Sequence, residues 1–213
     1  ILRRRPVAAL AMDTGVTAAT ARPLSLAPNG LHGLLCVAGV ACCVAMAVPQ
    51  VHIVALTSDL GYAAQRGAEM LALMLATGII SRLVFGWISD SIGGLPTLLV
   101  GSSLQALTLV LFMFADTLAG LYLMSALFGL SQGGIVPAYA IIVRRYFAPG
   151  QTGWRIAMVL SMTLLGMALG GWLAGLLYDL TGSYRLAFIN AVAFNVLNMV
   201  IAGILLRRER QRL

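Results

Sequence analysis

Six apolar stretches govern what this chain can become. They lie near Leu31–Leu56, Ala68–Ser89, Pro96–Phe114, Leu118–Ile142, Trp154–Tyr178 and Arg185–Leu206. A helix needs about 20 mostly apolar residues to cross the hydrocarbon core of a bilayer. Peptide groups in that core find no water, so runs of this length satisfy their hydrogen bonds internally, as helices. The breaks between them are short and carry Gly, Pro, Asp and Ser, as in Asp90–Leu95 (DSIGGL) and Asp179–Tyr184 (DLTGSY), which is ordinary turn chemistry. The expected fold is an all-α integral membrane bundle of six transmembrane helices over residues 31–206. Residues 1–30 form a polar linker entered from an upstream element, and 207–213 a basic tail.

Composition excludes the soluble alternatives. Only 10% of the 213 residues are charged, against about 25% in a soluble domain, and the mean hydropathy is +0.94. The net charge of +7 comes from arginine alone, because lysine is absent. These arginines lie between apolar spans rather than on one amphipathic face, which argues against nucleic acid as a partner and leaves the lipid bilayer.

Arginine placement sets the orientation, since basic residues collect on the cytoplasmic side. With the first segment cytoplasmic, that side holds Arg3, Arg4, Arg5, Arg22, Arg144, Arg145, Arg155, Arg207, Arg208, Arg210 and Arg212, and the opposite side Arg66 and Arg185. Both termini are then cytoplasmic, as an even number of crossings requires. The expected location is a cell membrane, in a bacterial setting the inner one.

Small residues mark where helices approach. Gly166, Gly170, Gly171 and Gly175 give two overlapping pairs at spacing four in the fifth span, and Ser125, Gly129 and Gly133 share that spacing in the fourth. Such stripes let two backbones pack closely in lipid. Pro49 and Pro137 fall inside the first and fourth spans, where proline frees a carbonyl and permits a kink.

One residue stands out chemically. Arg82 lies about 5 Å from the middle of the second span at about 1.5 Å per residue. A charge at that depth costs a few kcal/mol or more, so it faces protein or water rather than lipid. Gly78, Ser81, Phe85 and Ser89 share its side of the helix. A guanidinium stays protonated and presents a planar fork suited to a carboxylate. Two readings follow: an anion-binding residue in a central cavity, or an arginine tied to carbonyls or an acid of another helix. Gln132, Tyr139 and Thr163 are neutral candidates at similar depth. His52 sits toward the outer end, where an interfacial, gating or proton-carrying role is open. No carboxylate lies deep in a span, since Glu69 and Asp90 are at edges. No nucleophile–base pair or clustered carboxylate motif suggests an enzyme. Cys36, Cys42 and Cys43 lack metal-ligand spacing and read as apolar packing residues, and no cofactor is expected.

Four stretches resemble a known family. Gly86-Trp-Ile-Ser-Asp90-Ser-Ile-Gly93-Gly94 is similar to the signature loop of the major facilitator superfamily, although Ser91, Gly94, Leu95 and Pro96 stand where basic residues are usual. Pro49-Gln-Val-His52 with Asp59-Leu-Gly61 resembles the seventh helix of its monocarboxylate-porter and oxalate/formate-antiporter members. Gly129-Leu-Ser-Gln-Gly133-Gly134-Ile-Val-Pro137 resembles their tenth helix. The stretch from Gly166 through Asp179-Leu-Thr-Gly182-Ser-Tyr184 to Phe188 resembles the eleventh and twelfth. The resemblance implies that the six spans are helices seven to twelve, the C-terminal half of a twelve-helix secondary transporter. It further implies that Gly86, Asp90 and Gly93 form a gating loop and that Arg82 occupies the place of an arginine thought to hold a substrate carboxylate. A single buried cation favours a monoanion. The expected partners are a small organic anion, a proton as candidate coupling ion, and an N-terminal six-helix half or a second copy of the chain. A non-transporting sensor or assembly protein on the same fold is the remaining alternative.

Overall fold

The computed structural model describes residue 24 and residues 26–211, and the basic cluster Arg3–Arg5 lies outside them. Among the described residues seven α-helices follow one another: α1 (Pro28–Asp59), α2 (Ala64–Ile92), α3 (Gly94–Phe112), α4 (Leu118–Gln132), α5 (Ile135–Tyr146), α6 (Pro149–Thr181) and α7 (Arg185–Arg210). Six helical segments among the described residues are long and apolar enough to cross a membrane, with Leu118–Tyr146 counted as one.

The helices outrun the apolar stretches because local signals set their ends. Pro28 and Pro149 open α1 and α6, where the missing proline N–H would have had no intrahelical partner. Gly182 closes α6 with φ +66° and donates its N–H to Tyr178 O at 2.7 Å, a left-handed cap that glycine adopts without strain. Gly93 alone separates α2 from α3. Its φ of +86° turns the chain within one residue, so Asp90 lies in the last turn of α2 rather than in a loop.

The fourth crossing is not one continuous helix. It breaks at Gly133–Gly134, just before Pro137. Proline has no N–H to give the carbonyl four residues back, and its ring crowds that carbonyl; here the carbonyl belongs to Gly133. Two adjacent glycines, the weakest helix formers after proline, let the chain yield there. Pro49, without such neighbours, stays inside an unbroken α1.

Packing centres on α1. Within its most apolar 18-residue window 72% of residues are buried, against 22% for α2 and α6. The α6 glycines seat it on α1: a Cβ on Gly166 would lie 2.5 Å from Val40 O, and one on Gly170 2.9 Å from Ala47 Cβ. A second seam joins α2 and α4. There a Cβ on Gly133 would lie 2.5 Å from Gly78 O, Gly129 packs on Met74 and Thr77, and Ser81 Oγ donates to Leu130 O at 2.5 Å. A third joins α3 and α7 through buried amides. Asn195 Nδ2 donates to Ser102 O at 2.8 Å and Asn198 Nδ2 to Ser102 Oγ at 2.7 Å. Outside these seams Ile79, Leu83, Val200 and Ile204 stand exposed, the surface of a protein whose solvent is lipid.

Candidate functional site

A cavity of about 460 Å³ opens between α1, α2, the α4–α5 break and α6. From α1 it takes Cys43, Met46 and Gln50, and from α2 Leu75, Gly78 and Arg82, one face of a helix at spacings of three and four. Gln132, the last residue of α4, and Pro137, in the first turn of α5, meet it because the break ends one helix and starts the next at its wall. Thr163, Leu164 and Met167 close it from α6.

Arg82 is the one charged residue in this lining. Its side chain is exposed, and among the described residues it makes neither an ion pair nor a hydrogen bond. Its guanidinium therefore keeps five N–H donors for whatever enters. Across the cavity Gln50 Nε2 donates to Gln132 Oε1 at 2.7 Å, which fixes both amides. Gly78 leaves the space between: a Cβ there would come within 4.0 Å of Gln132 Nε2. Thr163 contributes mainly shape, because its hydroxyl donates to Leu160 O at 2.7 Å and its methyl rests against Gly39. The site can accept a small anion, with one cation, two amides and apolar walls, and none of its lining residues is a carboxylate.

The other residues singled out from the sequence lie elsewhere. Tyr139 is buried away from the cavity lining and donates to Asn198 Oδ1 at 2.8 Å, tying α5 to the α3–α7 seam. The sequence placed it at the right depth but could not say which face of α5 it occupied. His52 also misses the cavity lining. Its Nε2–H donates to Gly171 O at 2.9 Å, and Nδ1 lies 3.3 Å from Tyr184 Oη. Burial, then the nearby Asp59, pushes the Tyr184 phenol up to about 12, so through the neutral range this hydroxyl is available to donate to His52. The ring lies along the glycine stripe, where a Cβ on Gly175 would be 3.6 Å from His52 Cε1 and one on Gly171 would touch Val51.

Of the loop residues, Gly86 faces open space, Asp90 is exposed, and Gly93 packs against Arg145, where a Cβ would lie 2.8 Å from Nη1. Arg145 pairs in turn with Glu209 on α7 at 2.9 Å. Arg145 thus packs on the α2–α3 turn while its ion pair joins α5 to α7.

Sequence reasoning missed three features. Gln50 lines the cavity, and its signal was present: a polar residue beside Pro49 in an apolar span. Asn195 and Asn198 are fully buried on α7, and two amides three residues apart in an apolar run are the pattern of an interhelical clasp. Arg155, placed by the sequence at a span's end, is only 3% exposed.

A bundle of six apolar helical segments with a cation and amides in a cavity between them describes a multi-pass membrane protein with a polar internal site. The family follows from comparison: the chain belongs to the major facilitator superfamily, whose model matches residues 33–213. Monocarboxylate transporter 13 of Rattus norvegicus and of Bos taurus are each 28% identical to it over 149 residues, covering 69% of this chain. The match spans 35% of the length of either relative.

Proposed function

We propose that this chain is the C-terminal half of a secondary transporter for a small organic anion, a monocarboxylate, working by alternating access. Residues 31–206 would be helices seven to twelve, with residues 1–30 ending the central loop. The observation that carries this is Arg82, a guanidinium without a protein partner among the described residues, in the wall of a cavity at mid-span. The name of the monocarboxylate transporter 13 relatives supports the same substrate class.

The chemistry is recognition. A carboxylate accepts two N–H bonds from the Arg82 fork, while its short apolar chain rests on Leu75, Val136, Leu164 and Met167. Gln132, braced by Gln50, offers an amide donor to the second face of the anion. The partner half supplies the opposite wall, and rocking of the halves exposes the site to each side in turn. A coupling proton would need its carrier in that partner, given that the cavity lining here holds no carboxylate.

The test uses the full-length transporter in proteoliposomes with radiolabelled lactate- or acetate-class substrates. Arg82→Ala should fold, insert and lose uptake. Losing one charge-assisted pair costs about 2–5 kcal/mol once the halves close on the substrate, at least about 30-fold in affinity. Arg82→Lys should recover little, since an ammonium keeps the charge and loses the fork. Unchanged uptake in Arg82→Ala overturns the assignment.

A further inference from the structure

At the end of the bundle where α1 and α6 begin, a second arginine is held in a way its neighbours among the described residues do not complete. Arg155 is 3% exposed. Its guanidinium carbon lies 4.4 Å from the ring centre of Phe147 and 4.4 Å from that of Trp154. Along one edge Nε and Nη2 donate to Gln151 Oε1 at 3.3 and 3.1 Å, and Nη2 also donates to Asn29 Oδ1 at 3.0 Å. These acceptors are neutral amides. Nη1 is buried and has no partner among the described residues, and no carboxylate among them pairs with this cation.

Two further facts raise the positive potential at the same place. Asn29 is in the first turn of α1, and Gln151 in the first turn of α6. Neither helix has an acidic residue in that turn or a side-chain cap on its free N–H groups, so two helix ends of positive sign converge on a cation. His32 packs edge-on against the same two rings, at 6.2 Å from Phe147 and 5.2 Å from Trp154. It is 7% exposed, and its Nδ1 is likewise buried without a partner among the described residues. Buried charge of one sign is costly unless a counter-charge meets it.

We propose that the Arg155–His32 cluster at the shared N-terminal end of α1 and α6 binds one phosphate-type anion. Nη1 of Arg155 and the uncapped first-turn amides are the donors, with His32, whose Nε2 lies 3.3 Å from Met158 Sδ, forming the wall beside them, and an oxyanion that accepts from several directions suits such a set. The site is separate from the transport cavity: Arg155 precedes Thr163 by about 12 Å along α6, at about 1.5 Å per residue. Half-exposed Trp154 flanks it, in the manner of an aromatic at a membrane interface. The phosphate can therefore come from a phospholipid headgroup or from solution, and the chemistry is shared.

The test uses the full-length protein, delipidated in detergent, with three probes: phosphatidic acid, phosphatidylcholine and inorganic phosphate. Native mass spectrometry counts retained lipid, and the melting temperature follows phosphate. Two variants are compared. Arg155→Gln removes the cation. Asn29→Asp is nearly isosteric and places a carboxylate beside Nη2, supplying the counter-charge internally; it also keeps the test decisive if Arg155→Gln fails to accumulate. Wild type should retain one phosphatidic acid, or show a saturable rise in melting temperature with phosphate. Asn29→Asp should weaken that binding by about tenfold or more. Lipid that survives excess inorganic phosphate identifies a headgroup site, and lipid displaced by it identifies a soluble anion. Absence of saturable binding of phosphatidic acid and of phosphate by wild type, or equal binding by wild type and Asn29→Asp, overturns the proposal.

Discussion

Two arginines in apolar surroundings show how differently one residue type is accommodated. Arg82 looks into a cavity with its fork free among the described residues, whereas Arg155 is wedged between two aromatic rings with three of its N–H bonds answered by amides. The first was legible in the sequence, because a charge in the middle of an apolar span has few destinations. The second was not, because near a span's end water, headgroups and protein are equally available and spacing does not choose among them. Tyr139 makes the same point in reverse. Depth along a helix can be counted, but the face it occupies depends on how α5 is rotated after the Gly133–Gly134 break. Its hydroxyl completes a clasp through Asn198 to Ser102, so Tyr139→Phe should leave substrate affinity within about twofold of wild type. It should cost roughly 0.6 kcal/mol of stability, the average for an interhelical hydrogen bond in a membrane. Thermal unfolding and uptake kinetics on the same preparation check both. Gln132→Ala, which unbraces Gln50 in the cavity wall, should instead weaken uptake with little change in melting temperature.

At the level of helices, glycine spacing told which faces meet, and the α1–α6 and α2–α4 seams are built on those faces. It did not tell which partner each face would find, since a flat stripe fits any helix that can approach it. Proline was ambiguous for a related reason. Pro49 and Pro137 each delete one backbone donor, yet only Pro137 accompanies a broken helix, because only there do two glycines, with the ring of Phe85 packed on Gly134, let the helix give way. That break matters to the site, as it carries Gln132 and Pro137 to the cavity together. The seams can be tested by bulk. Gly170→Leu drives a side chain into Val44 and Ala47 of α1 and should reduce accumulation or uptake to about a tenth or less of wild type, as overpacking costs about 1–3 kcal/mol or more when backbone blocks the way. Gly203→Leu adds the same bulk on α7 where nothing lies within 4 Å of the new Cβ. It should behave as wild type in expression and uptake. Equal behaviour of the two variants would show that the α1–α6 seam does not limit folding.

For the molecule as a whole, the number of crossings decides which side every loop faces, and the broken fourth crossing is the point at which that number could change. Helix α4 has 15 residues and α5 has 12, about 22 and 18 Å at about 1.5 Å per residue. Neither alone spans a hydrocarbon core of about 30 Å. The 29 residues of Leu118–Tyr146 together do, provided that α5 continues in the direction of α4. The interior is consistent with this. Gly101 of α3 packs on both Ser131 of α4 and Ile135 of α5, and Gly94, nearly two turns earlier, packs on Ala138 and Ile142, so α3 runs alongside both halves of the crossing in one direction. The arginines agree: Arg144 and Arg145 at the far end of α5 then share a side with Arg207, Arg208 and Arg210 at the end of α7, where Arg145 reaches Glu209. Reporter fusions in the full-length protein should therefore place Thr117 outside, Gly150 in the cytoplasm, Ser183 outside and Gln211 in the cytoplasm. If α5 instead folded back beside α4, Gly150 would report the same side as Thr117. The cavity would then lose Gln132 and Pro137 from a common wall, and the anion site proposed at Arg82 would fall with the six-crossing bundle.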